Sequence, residues 1–120
     1  MECFGRYFFL DGNILPAEAF DEIAGGDIAF YEVIRTRNGV PVFFDDHMNR
    51  LREGISTRYD LNEDIAGEVR NGLNALVSHE LRDEINVRVT VTFTGHDYSL
   101  HICYIPSSYP SASMVSDGVP

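Results

Sequence analysis

Residues 31–51 read YEVIRTRNGVPVFFDDHMNRL, and the parsing of this stretch decides the fold. Asn38-Gly39 predicts a two-residue type I′ turn, because that turn needs positive φ at both central positions. Val33 and Ile34 before it, and Val40, Val42, Phe43 and Phe44 after it, are β-branched or aromatic, as strands prefer. The pattern predicts a strand, a tight turn, a second strand and then a helix capped by Asp45 or Asp46. That helix carries His47 and Arg50 in its first turn or two. One guanidinium is thus mounted on a helix at the end of a hairpin.

The helix is predicted over 46–59. At 100° per residue, Met48, Leu51, Ile55 and Tyr59 share an apolar arc, with His47, Arg50 and Gly54 on its border. A glycine one turn after Arg50 leaves open space beside the guanidinium. A ligand approaching there or close helix packing would each account for it. Upstream, residues 4–15 read as a hairpin turning at Asp11-Gly12, with Tyr7-Phe8-Phe9-Leu10 as its first strand and Pro16 ending it or opening the next segment. Residues 17–27 read as a short helical turn and a loop at Gly25-Gly26.

Downstream, a second helix is predicted over 63–79, capped by Asn62, with Ile65, Val69, Leu73, Leu76 and Val77 on its apolar face. Residues 85–95 then alternate strictly. Val87, Val89, Val91 and Phe93 point one way, and Asn86, Arg88, Thr90, Thr92 and Thr94 the other. Gly95-His96-Asp97 turns the chain, and Tyr98–Ile105 returns with Tyr98, Leu100, Ile102 and Tyr104 on one side. This hairpin is expected to put an apolar face under the helices and leave a polar face opposite. Residues 1–106 are read as one α+β domain, an antiparallel sheet with two helices on one face. Residues 107–120, rich in Ser and Pro, are read as an interdomain linker ahead of a second domain.

Composition narrows the function. The 120 residues are 44% hydrophobic, enough for a core, and no apolar run approaches the length of a membrane span. A formal net charge of -10 repels phosphate backbones, so nucleic-acid binding is not expected. Cys3 and Cys103 read as reduced, half-buried thiols of a cytoplasmic protein without a signal peptide. All nine basic residues are arginines, so no lysine chemistry can come from this chain. The four histidines show no metal-ligand spacing, and Asp45-Asp46 reads as a helix cap rather than an acid/base pair.

Tyr31-Glu32-Val33-Ile34-Arg35, Asn38-Gly39 and His47-Met48-Asn49-Arg50-Leu51, in that order, resemble the N-terminal domain of fold-type-IV pyridoxal-phosphate enzymes. That family includes branched-chain aminotransferases, D-amino acid aminotransferases and aminodeoxychorismate lyase. Asp11-Gly12-Asn13-Ile14 and Val87-Arg88-Val89-Thr90-Val91-Thr92 extend the resemblance over roughly 7–105.

The resemblance implies a role for each matching residue. Arg50 would bind the phosphate of pyridoxal 5′-phosphate, as a planar guanidinium fork suits. His47 would support the start of the helix. Tyr31 would line the substrate pocket, and Arg88 would meet a substrate carboxylate. The catalytic lysine would lie in the second domain, so no catalytic residue is assigned here and the chain alone is expected to be inactive. The intact protein would be a cytoplasmic homodimer moving an amino group between an amino acid, branched-chain among the candidates, and a 2-oxo acid. Two rivals stay open: an aminodeoxychorismate-type lyase on the same scaffold, and a standalone binding module. Departures from the family pattern are Gly26-Asp27-Ile28-Ala29, Thr94-Gly95, and no Arg-x-His carboxylate trap after Gly95. Outside the family pattern, Arg50 reads as a surface helix arginine and Arg88 as a strand arginine paired with an acid.

Overall fold

Strict alternation along Glu84–Thr94 fixes which side of the sheet the helices cover. Val87, Val89 and Val91 are fully buried and Phe93 nearly so, beneath the two helices. The computed structural model describes residues 3–22 and 28–106. The expected loop at Gly25-Gly26 and the expected linker 107–120 lie outside the described residues. Strands β1 (Tyr7–Leu10), β2 (Asn13–Pro16), β3 (Ile28–Arg37), β4 (Val40–Pro41), β5 (Glu84–Thr94) and β6 (Asp97–Ile105) form one sheet in the order β2-β1-β6-β5-β3-β4. Every pairing is antiparallel. A 3₁₀ turn spans Ala17–Glu22. Helix α1 (Phe44–Ser56) packs on β3, and α2 (Ile65–His79) packs on β1 and β6.

Both predicted Asx-Gly hairpin turns form, each with two positive φ angles: 46° and 92° at Asp11 and Gly12, 51° and 83° at Asn38 and Gly39. The second strand of the 31–51 stretch is far shorter than predicted. It stops at Pro41, because Phe43 takes a left-handed conformation (φ 57°, ψ 41°) that swings the chain directly into α1. Phe44 is therefore the first helical residue, buried with the Arg70 guanidinium of α2 4.3 Å above its ring. Neither Asp45 nor Asp46 caps the helix, which has no side-chain cap. Both stand in its first turn, where their charges face the positive end of the helix dipole. The cap of α2 is Asp64, not Asn62: its Oδ1 accepts from the Gly67 N–H at 3.1 Å, and the next residue, Ile65, already packs into the core.

The face of the sheet away from the helices is not uniformly polar, contrary to expectation. Phe8, Cys103 and Ile105 are buried there, joined by Cys3, Leu10, Leu15, Phe20 and Val33. The 3₁₀ turn covers that face at β1 and β2, where Phe20 meets the Phe8 ring edge to face. Toward β3 it stays open, and Tyr31 is 53% exposed.

Two glycines face opposite constraints. A Cβ on Gly72 would stand 2.7 Å from the Phe9 ring and 3.0 Å from Ile102, so α2 can sit this close to the sheet only without one. A Cβ on Gly54 would meet only Phe30, at an ordinary 3.5 Å, so close packing does not require that glycine. In urea denaturation, G72A is expected to lose about 1–3 kcal/mol through overpacking. G54A is expected to gain about 0.5–1 kcal/mol from helix propensity. A destabilised G54A would show that the backbone there is held by something other than helix packing.

Candidate functional site

Strand alternation sends Glu32 to the helix side of β3 and Tyr31 to the opposite side. Each holds one arginine. Glu32 Oε1 lies 2.7 Å from His47 Nδ1 and accepts from Arg50 Nε at 3.3 Å and Nη2 at 3.1 Å. Arg50 Nη2 is also 2.9 Å from His47 Nδ1. A guanidinium can only donate, and the carboxylate can only accept. The short bond to Glu32 assigns the proton to His47 Nδ1, and Arg50 is then held through Oε1 alone. Burial by itself would raise the Glu32 pKa. The bonds from His47 and Arg50 outweigh it and hold the carboxyl below its ordinary value. Arg50 remains 58% exposed, and its Nη1 has no hydrogen-bond partner among the described residues.

On the other face, the Arg88 guanidinium lies over the Tyr31 ring, 4.0 Å from its centroid. Arg88 pairs across the sheet with Val33 and Cys103, and Tyr31 pairs with Thr90, which pairs in turn with His101. Among the described residues Arg88 has no acidic partner, whereas Arg35 and Arg37 both reach Glu84. The expected acid-paired strand arginine is therefore absent. His101 is largely buried against the Phe20 ring edge, 5.6 Å between centroids. Burial first, and the Arg88 charge second, lower its pKa, so it is a neutral imidazole at pH 7.

The structure thus joins His47 with Arg50, and Tyr31 with Arg88, on opposite sides of β3. Sequence reading missed Glu32, which ties the first pair together, and Thr90 and His101, which flank the second. Glu32 could have been found as the single acid in the Tyr31–Arg37 strand. On its outer side β3 is paired by β4 only at Thr36 and Arg37. Residues 28–34 of that edge have no strand partner there among the described residues. Arg50 stands on the helix side of β3 and Arg88 on the opposite side. Among the described residues no cluster of three or more metal-ligating side chains occurs, and no helix is long and apolar enough to cross a membrane.

The profile of the family described as amino-transferase class IV matches residues 29–119. No curated protein matches the chain in sequence. Among solved structures, the branched-chain amino acid aminotransferase from Escherichia coli superposes with a TM-score of 0.66 at 13% identity, over 86% of this chain and 41% of that one. A mutant branched-chain amino acid aminotransferase from Thermobaculum terrenum gives 0.61 at 18% identity, over 84% and 38%. The branched-chain aminotransferase from the archaeon Thermoproteus uzoniensis, solved with norvaline, gives 0.60 at 18%, over 83% and 40%. The chain therefore spans about two-fifths of the length of these proteins and shares the fold of that portion. The six-stranded antiparallel sheet with two helices matches the small α+β N-terminal domain of class IV aminotransferases.

The lowered Glu32 pKa has a signed consequence. Its stabilising contribution is complete above the ordinary value of 4.5 and is lost as pH falls through the lower folded value. Thermal unfolding followed from pH 7 to pH 3 should show a steeper acid-side fall in the wild type than in E32Q. Parallel curves would mean that Glu32 is not held by His47 and Arg50 in solution.

Proposed function

The chain belongs to the amino-transferase class IV family, and on that ground we propose its function. It is the small domain of a pyridoxal 5′-phosphate-dependent aminotransferase that moves an amino group between an amino acid and a 2-oxo acid. The single observation that carries this reading is the placement of Arg50 and Arg88 on either side of β3, each held by one of two consecutive residues.

The residues present fit the cofactor on its phosphate side. Arg50 is anchored through one edge by Glu32, and its outer edge is left to donate to phosphate oxygens. His47 donates to Glu32 and keeps the carboxylate turned toward the guanidinium. Pyridoxal phosphate, when bound, supplies the electron sink that makes the substrate's Cα–H bond acidic. On the other face Arg88 receives a substrate carboxylate, and the Tyr31 ring beneath it fixes the plane of the guanidinium. Tyr31 and Val33 add an apolar wall that suits an aliphatic side chain, in keeping with the branched-chain aminotransferases that share the fold. The chain holds no lysine, so the amine that anchors the cofactor in such enzymes comes from residues outside it. The enzyme works as a cytoplasmic homodimer.

The test uses the enzyme that carries this chain, with cofactor binding followed by visible absorbance and steady-state kinetics beside it. R50Q should weaken pyridoxal phosphate binding by about 10–100-fold, the size of a charged hydrogen-bonded pair. R88Q should bind the cofactor normally and raise KM for the amino or oxo acid by a similar factor. Unchanged cofactor affinity in R50Q would overturn the phosphate assignment.

A further inference from the structure

Three buried polar atoms belong to neighbouring residues on the sheet face away from the helices: Arg88 Nε, Thr90 Oγ1 and His101 Nε2. Among the described residues none has a hydrogen-bond partner, and they are the complete set of such side-chain atoms there. Their clustering follows from register. Thr90 and His101 are direct cross-strand partners, and Arg88 stands two residues along β5 on the same face. Elsewhere in the sheet a buried hydroxyl is satisfied, as when Thr36 Oγ1 donates to the Ile85 carbonyl at 2.9 Å. Buried polar groups without partners are uncommon in folded proteins, and three at one spot call for a common occupant.

Their chemistry selects the occupant. Arg88 Nε–H can only donate, the Thr90 hydroxyl can donate, and neutral His101 donates from Nε2 in one of its tautomers. Three potential donors and one positive charge without an acidic partner among the described residues share one patch of the sheet, in a chain of net charge -10. Tyr31 covers the guanidinium, and Phe20 stands edge-on to the imidazole. Donors flanked by two aromatic rings suit a flat, two-oxygen anion.

We propose that Thr90 and His101 join Arg88 in a single carboxylate subsite, which receives a carboxylate of the amino acid or 2-oxo acid. This rests on the reading of Arg88 given above and adds two residues that contact the ligand directly. The fold holds these donors unsatisfied until the carboxylate arrives.

The probe is glutarate, a dicarboxylate with no amino or oxo group, titrated calorimetrically into the enzyme that carries this chain. T90V and H101F keep shape and packing but remove the donors. Each should weaken glutarate binding about ten-fold, with pyridoxal phosphate affinity unchanged, and T90S should bind glutarate nearly as the wild type does. Without ligand, T90V should melt a few degrees higher than the wild type, because a buried unpaired hydroxyl is gone. A lower melting temperature for T90V would mean that the hydroxyl is already satisfied by structural water, and the subsite falls. Wild-type glutarate affinity in both T90V and H101F, with loss in R88Q, would also overturn the subsite while leaving Arg88 as the carboxylate's partner. Unchanged affinity in R88Q as well would remove both readings.

Discussion

The Glu32 carboxylate is the constraint from which the site is built. It is mostly out of water, in a position where a lone charge would be costly and would take up a proton. His47 and Arg50 prevent that, and both come from the first two turns of α1. The same bonds therefore join the helix to the sheet and aim the guanidinium. Breaking one partner would leave an uncompensated charge, which is why such a trio is rigid even where its net stabilisation is small. Arg50 is exposed, yet it is not free to wander as an exposed arginine ordinarily is. One edge is committed to Glu32, and the other faces outward.

The two-residue period of a strand does the rest. Tyr31 and Glu32 share a peptide bond, so their side chains must leave opposite faces of β3. Glu32 carries Arg50 under the helices, and Tyr31 carries Arg88 on the far side. A one-residue slip of β3 against β5 would exchange those faces and separate both pairs. Register is pinned by ten consecutive residue pairs between these strands and by the Asn38-Gly39 turn, whose two positive φ angles fix the hairpin to β4.

Legibility in the sequence followed the range of the interactions. The two Asx-Gly turns, the apolar arc of α1 and the alternation of β5 are local patterns, and each found its element, although α1 ends at Ser56 and leaves Tyr59 beyond it, stacked on Phe93. Phe43 was not legible, because an aromatic residue seldom takes a left-handed conformation and nothing in its neighbours announces one. That one residue shortened β4 and moved the helix start to Phe44. The second apolar cluster escaped because it is assembled from the first hairpin, the 3₁₀ turn and β6, which are distant in sequence. Thr90 and His101 escaped for a subtler reason. A three-residue turn at Gly95-His96-Asp97 would oppose Thr90 to Ile102, whereas the observed pairing of Thr94 with Asp97 leaves a two-residue turn and brings His101 beside it. Arg50 and Arg88 could be named from motif order, but their partners depended on register.

Arg88 also shows how charge is distributed within an acidic chain. Nineteen acidic residues surround nine arginines, so a pairing partner would be easy to supply. Arg35 and Arg37 share Glu84, Arg82 has Glu80, and Arg50 has Glu32. Arg88 instead rests on an aromatic face, beside a neutral imidazole and a hydroxyl. A ring holds a guanidinium in place without neutralising it, whereas a carboxylate of the chain would have to be displaced by any incoming anion. Burying its Nε without a partner among the described residues weakens the fold locally and leaves the charge uncompensated. The proposed carboxylate role would set binding against stability at this residue, since the same uncompensated charge that weakens the fold is what an incoming anion would meet.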